Sequence, residues 1–204
     1  MRKLLFVVLS SVLLASNAIA AVITYDTRPI DQGLGLLPDY RAAWLAQTSS
    51  VTTQNLADFN GAVIPGGVPG GFSHLHVEFT TVGSWLFELA PDAGLGGALY
   101  FNNSLAPQDV DVSDLWWAGN WANTTELLSG SAFGGPNFFD AYWAEECCNG
   151  PQGGRFSVDG GQTWLDLTVE NLEAAAVPLP AAAWLLGSAL LGLLGLSRRK
   201  LKAA

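Results

Sequence analysis

From Phe72 onward the chain alternates in character: His74, His76, Glu78 and Thr80 fall on one side, and Leu75, Val77, Phe79 and Thr81 on the other. A period of two is the geometry of a strand, whose successive side chains point to opposite faces of a sheet. A helix would scatter both sets around its circumference. The stretch is therefore committed to half-buried β structure, and shorter segments of the same kind follow. Trp85, Phe87 and Leu89 mark a second strand and residues 98–101 a third, with Asn102 and Asn103 as a turn. Residues 138–145, 155–158 and 163–169 add three more. Ahead of them, residues 21–25 read as a short strand. Asp39 opens the only helix expected before the C-terminal one, with Tyr40, Ala43, Trp44 and Gln47 at helical spacing. A Ser/Thr-rich passage at 48–53 leads to a loop at 61–71, whose five Gly and two Pro break any regular element. No strand and helix frame that loop as a phosphate cradle would require. The expected fold class is mainly β, an antiparallel β-sandwich of the lectin or jelly-roll kind with one short helix.

Both ends of the chain differ from this pattern. Arg2 and Lys3 precede an apolar run at 4–15, and Ala18 and Ala20 supply the small residues of a cleavage site, so residues 1–20 read as a signal peptide and Ala21 as the mature start. At the other end, residues 174–196 carry no charge. As a helix, the run at 181–196 with its apolar flanks approaches the roughly 20 residues that cross a hydrocarbon core. Arg198, Arg199, Lys200 and Lys202 would hold the tail at 197–204 cytoplasmic. The expected organisation is a signal peptide at 1–20, an exported domain at 21–176 large enough for one core, and a membrane-directed segment at 177–204.

Charge follows the same division. The chain has a net charge of −9, but residues 21–176 hold all 18 Asp and Glu against Arg28, Arg41 and Arg155, a net of −15 without a single Lys. Such a domain repels phosphate backbones, which excludes nucleic acid as a partner. Cations are compatible partners, and so is the simpler view that acidity keeps an exported protein soluble.

Val177, Pro178, Leu179, Pro180 and Ala181, followed by one apolar helix and a short basic tail, resemble the VPLPA variant of the PEP-CTERM sorting signal. The resemblance implies recognition by an exosortase, a membrane cysteine protease that cleaves near the motif and releases or transfers its substrate to the exterior. Such systems accompany exopolysaccharide production in Gram-negative bacteria. It implies export through the inner membrane and a final location at the cell surface or beyond. An ordinary C-terminal anchor is the alternative.

Cys147 and Cys148 are the only cysteines. In an oxidising compartment unpaired thiols do not persist. Neighbouring Cα atoms are about 3.8 Å apart, below the usual disulfide span of about 4.4–6.8 Å, so a Cys147–Cys148 bond would be a strained eight-membered ring. A vicinal disulfide is nevertheless the expected state, with free thiols and intermolecular bridges as the alternatives. Cys147 and Cys148 with Gly150 also resemble a CCXG group of exosortase-dependent proteins, which carries no chemistry of its own. Downstream, Ser157, Asp159, Gly161, Thr163 and Trp164 resemble an Asp-box, the braced hairpin found in sialidases and other secreted β-proteins. One copy without an arginine cluster implies a hairpin and not a sialidase.

Three further sets of residues are candidates for function. Trp117 and Trp121, among the aromatic residues Trp116, Trp117, Trp121, Tyr142 and Trp143, could stack on sugar rings or belong to the core. Asp109, Asp111 and Asp114 suit an oxygen-ligated Ca²⁺ in charge, though not in EF-hand spacing, and otherwise form a solvated acidic loop. His74 and His76 share a strand face and could hold a metal with a third ligand or simply make that face polar. The function these features support is an exported, exosortase-sorted, non-catalytic surface or matrix protein with polysaccharide as its possible ligand. A small glycan hydrolase using Asp140, Glu145 or Glu146 and a purely structural adhesion module are the alternatives. The mass of the protein recovered outside the cell checks the sorting expectation: the signal peptide and the segment after Ala176 are absent if the tail is cleaved, whereas an intact C-terminus identifies a permanent anchor.

Overall fold

A computed structural model describes residues 19–60, 70–116, 118–123, 127–146 and 150–176. The signal peptide, apart from its last two residues, the segment at 177–204, Trp117, Cys147 and Cys148 lie outside the described residues. Ten strands and two helices occur in the order β1 (Val22–Pro29), α1 (Tyr40–Ala46), β2 (Thr52–Leu56), β3 (Gly71–Ala90), β4 (Asp92–Ala93), β5 (Gly97–Phe101), β6 (Asp109–Asp111), β7 (Leu115–Trp116), β8 (Leu128–Glu145), β9 (Gly153–Ser157), β10 (Leu165–Asp166) and α2 (Val169–Ala176). All the strand pairings are antiparallel. Eight strands form one sheet, and β4 and β7 form a separate two-stranded ribbon.

The sheet is built on the pairing of β3 with β8, which runs from Gly71 opposite Glu145 to Leu89 opposite Leu128. Along its first half β3 also pairs with β1, and along its second half with β9. The residues read as two strands, 72–81 and 85–89, are one continuous strand interrupted by a bulge between Thr81 and Ser84. At the bulge Gly83 adopts φ +87° and Gly135, on the partner strand, φ +101°, backbone that other residues reach only with strain. The strand folds back on itself there. Phe79 and Phe87 would lie about 27 Å apart on a straight strand at about 3.4 Å per residue, yet their ring centroids are 4.7 Å apart. The two halves of the sheet thus face each other like the layers of a sandwich. Phe87 touches Phe101 at 5.8 Å and Phe139 at 5.4 Å between centroids, and Trp85 stacks on Phe156 at 5.2 Å. Ile23, Leu75, Val77, Leu99, Leu128 and Trp143 complete the interior.

The opposite face of the first half is covered by α1. Asp39 caps this helix by accepting from Ala42 N at 3.0 Å, and Tyr40, Ala43 and Trp44 pack on Phe72, Tyr100, Tyr142 and Ala144.

The structure corrects two sequence expectations. Residues 163–169 are not a strand: only Leu165 and Asp166 pair, and a second helix, α2, follows. Thr168 caps that helix by accepting from Asn171 N at 3.0 Å, and Leu172 and Ala176 turn inward one helical turn apart. The strand expected at 138–145 begins ten residues earlier, at Leu128. Gly130 is required there because a Cβ would lie 2.5 Å from Phe101 Cε2. Among the described residues no helix is long and apolar enough to cross a membrane. Because Phe87 joins both layers, Phe87→Ala is expected to cost about 3–5 kcal/mol in urea unfolding, while Leu105→Ala, at a side chain 97% exposed, changes stability by less than about 0.5 kcal/mol.

Candidate functional site

The even-numbered side chains of β3 project from the face opposite the aromatic interior, and strand register decides what they meet. His74 lies opposite Asp26 of β1 and Tyr142 of β8, and His76 lies opposite Asp140 of β8. His74 Nε2 and His76 Nδ1 both contact Asp140 Oδ1, at 2.9 and 2.8 Å. Their remaining nitrogens each meet another carboxylate: His74 Nδ1 lies 3.2 Å from Asp26 Oδ2, and His76 Nε2 lies 3.2 Å from Glu78 Oε1. The His74 ring stacks on Tyr142 with centroids 4.4 Å apart, and Trp44 of α1 stands 5.7 Å away. Only 14% of the His74 side chain and 12% of Asp140 reach solvent, against 27% of His76.

These contacts set the ionisation of the cluster. Burial pushes the Asp140 carboxyl upward, but hydrogen bonds and charge from His74 and His76 outweigh it and hold the group well below the usual carboxylate range. The Asp140 hydrogen bond raises the His76 imidazole, burial opposes this, and Glu78 adds to the rise. His74, His76 and Asp140 are also the one group among the described residues whose potential ligand atoms converge as a metal site requires, all within 4.8 Å of one another. The sequence places the two histidines on one face. The third member, 64 residues from His76, is visible in the sequence only as one of many acids.

Two of the three hydrolase candidates are taken up by contacts within the fold. Asp140 is engaged by the histidines. Glu145 lies on the opposite side of β8 by the alternation of the strand, and it accepts from Gly94 N at 2.7 Å. Asp109, Asp111 and Asp114 form no converging ligand group. Asp109 Oδ2 instead accepts from Ser129 N at 2.7 Å, and Asp111 Oδ1 from Ser113 N at 2.8 Å.

The Asp-box residues form the turn between β9 and β10. Asp159 Oδ1 accepts from Ser157 Oγ, Gln162 N and Thr163 N at 2.7, 3.0 and 2.9 Å, and Gly160 and Gly161 take φ values of +75° and +90°. The Thr163 amide and the Ser157 hydroxyl hold the Asp159 carboxyl down at about 2. Arg155, paired with Glu88 at 2.6 Å, lies between two aromatic rings, its guanidinium 4.4 Å from Trp121 and 4.5 Å from Trp164. Trp121 therefore spends a ring face on an arginine. Of the other described tryptophans, Trp44, Trp85 and Trp143 are buried. Trp116, on the ribbon beside Asp92, is 59% exposed.

In protein freed of metal by a chelator, the cluster has a pH signature. The folded pKa of Asp140 is depressed, so its contribution to stability is present above about pH 4 and declines as pH falls toward its folded value. The folded pKa of His76 is raised by Asp140 and Glu78, with His74 and Asp26 completing its surroundings. Its contribution is full below about pH 6.5 and is lost as pH rises through the folded value. Urea unfolding is expected to show the largest gap between the native chain and Asp140→Asn in the window from about pH 4 to 6.5. A gap independent of pH contradicts this ionisation scheme.

No family model matches the sequence, and no curated protein matches it. Among solved structures, the chain is similar to the Epithelial Adhesin 6 A domain of Candida glabrata, solved in complex with Galβ1-3GlcNAc, with a TM-score of 0.50 and 9% identity over 72% of this chain and 84% of that one. The PA14 domain of the MpAFP antifreeze protein has a TM-score of 0.48 and 15% identity over 76% of this chain and 90% of that one. The PA14 sugar-binding domain from an RTX adhesin has 0.47 and 7% over 74% and 97%. The likeness to the yeast adhesin domain identifies the architecture as a lectin-like β fold of the kind that domain adopts.

Proposed function

We propose that this chain is an exported, non-catalytic surface or matrix protein that binds polysaccharide, with Trp116 at the centre of the contact. The observation that carries the reading is the exposure of Trp116: among the described tryptophans Trp44, Trp85 and Trp143 are buried, whereas Trp116 presents 59% of its surface to solvent. An aromatic face covers the C–H side of a sugar ring, and carboxylates accept from its hydroxyl groups. Asp114, exposed just before β7, supplies such an acceptor near that face, whereas Asp92, the cross-strand neighbour of Trp116, is buried and accepts from Gly150 N. Burial and the nearby Glu145 and Asp114 raise the Asp92 carboxyl above its ordinary value. The fold shared with a yeast adhesin domain solved with a disaccharide agrees with this reading, although folds host many functions and the argument rests on the site. Trp116 joins Trp121 as a stacking candidate on the ground of its exposure, and Trp121 gives a ring face to Arg155.

The sorting part of the proposal rests on the sequence alone. The segment from Val177 to Ala181, the apolar run after it and the basic tail support delivery to the exterior by an exosortase-type protease, and a strongly acidic body suits a hydrated glycan matrix. The hydrolase alternative loses one of its three carboxylate candidates as a proton donor, because the histidines hold Asp140 in its ionised form. Retardation in gels containing polysaccharide from the producing strain tests the binding claim. Trp116→Ala is expected to weaken retention between about two- and tenfold, the range of an aromatic contact. Equal retention of Trp116→Ala and the native chain removes Trp116 from the contact.

A further inference from the structure

We propose that His74, His76 and Asp140 bind a divalent transition-metal ion, with Zn²⁺ as the best match. The argument begins with a proton count. Four contacts join the two imidazoles to three carboxylates: His74 to Asp26 and Asp140, and His76 to Glu78 and Asp140. A neutral imidazole has one N–H to donate. Two neutral rings therefore satisfy two of the four contacts and leave two lone pairs facing carboxylate oxygens, a deficit that is filled either by a second proton on each ring or by a cation between them.

A cation at the convergence point resolves this arrangement. His74 donates from Nδ1 to Asp26 and His76 donates from Nε2 to Glu78, so His74 Nε2 and His76 Nδ1 are left as bare nitrogens aimed at the same place as Asp140 Oδ1. Each histidine then has the carboxylate behind it that metal-bound histidines usually have, which fixes the tautomer and raises the basicity of the ligand. The ligand types also select the metal. Two imidazoles and one carboxylate suit Zn²⁺ and its neighbours in the first transition row, while Ca²⁺ and Mg²⁺ prefer all-oxygen sites. Tetrahedral ligands about 2.0–2.1 Å from zinc stand roughly 3.3 Å apart. The Asp140 contacts of 2.8 and 2.9 Å would open by about half an ångström to admit the ion, and the two histidine nitrogens, within 4.8 Å of each other, would settle to the same spacing.

The support is rigid. His74 is stacked on Tyr142, and all three ligands stand on the paired central strands β3 and β8, not on loops. Three protein ligands leave a fourth position for water or an outside ligand, on the side where His76 is most exposed. The surrounding charge favours a cation: Asp26, Glu78 and Asp140 contribute three carboxylates within one cluster.

The test titrates ZnCl₂ into the full chain after chelator treatment and reads binding by calorimetry. One equivalent is expected to bind. His76→Gln and Asp140→Asn are each expected to weaken binding at least about tenfold, and Asp26→Asn, which removes only the carboxylate behind His74, about 10- to 100-fold. Circular dichroism confirms that each variant remains folded. Co²⁺ added to the native chain supplies a second readout that needs no variant: a visible spectrum of nitrogen and oxygen ligation at low coordination, without thiolate charge transfer. Zinc binding unchanged in both His76→Gln and Asp140→Asn, binding lost only in a Cys147→Ser/Cys148→Ser chain, or a Co²⁺ spectrum of the hydrated ion overturns the proposal.

Discussion

The long antiparallel pairing of β3 with β8 is the constraint from which the rest of the structure follows. The pair spans both layers, so a single bulge between Thr81 and Ser84 brings two halves of one sheet face to face, and the interior is closed by rings drawn from both halves. One register places Leu75, Val77, Phe79 and Phe87 inward and His74 and His76 outward. A slip by one residue would exchange the faces. It would bury two imidazoles in an apolar interior and expose the phenylalanines. The aromatic core and the histidine cluster are two results of the same alignment.

The sequence reveals this alignment only within a strand. Alternation identifies the inward and outward sides of residues 72–81, and helical spacing with an Asp cap identifies α1, because both signals are local. Partner choice is not local. Asp140 lies 66 residues from His74, and nothing in the pattern of residues 138–145 singles it out from the other acids of an acidic chain. The bulge is hidden for a related reason: Val82, Gly83 and Ser84 look like a turn between two strands, and only pairing with β8 shows that the strand continues. Gly130 likewise carries no local sign of its place in β8, where it makes room for the Phe101 ring. Helix α2 follows directly on a hairpin, and the β-prone residues just before it extend the apparent strand into its first turn.

Arg155 illustrates how pairing changes the meaning of an aromatic residue. In sequence Trp117 and Trp121 are the stacking candidates in an acidic region, and nothing local shows what either ring meets. In the fold Trp121 shares a guanidinium with Trp164, and that guanidinium is tied to Glu88 of β3. The Asp-box turn and the central strand are thereby joined through one cation, and in the domain at 21–176 only three arginines can play that part. Removing positive charge from the domain has made each remaining arginine a structural element: Arg28 lies over Trp44, and Arg41 over Tyr100.

The span of the central pairing also dictates the order in which the protein can be assembled. The contacts that join the layers run from Leu89 with Leu128 to Gly71 with Glu145, all of them distant in sequence, and closing loops of that size costs entropy that local structure cannot offset beforehand. Until β8 has been made, the first half of β3 has β1 as a partner, but its second half waits unpaired for residues that come later in the chain. The N-terminal half cannot mature by itself, and the hydrophobic side of Leu75, Val77 and Phe79 stays open to chaperones or to other nascent copies throughout that interval.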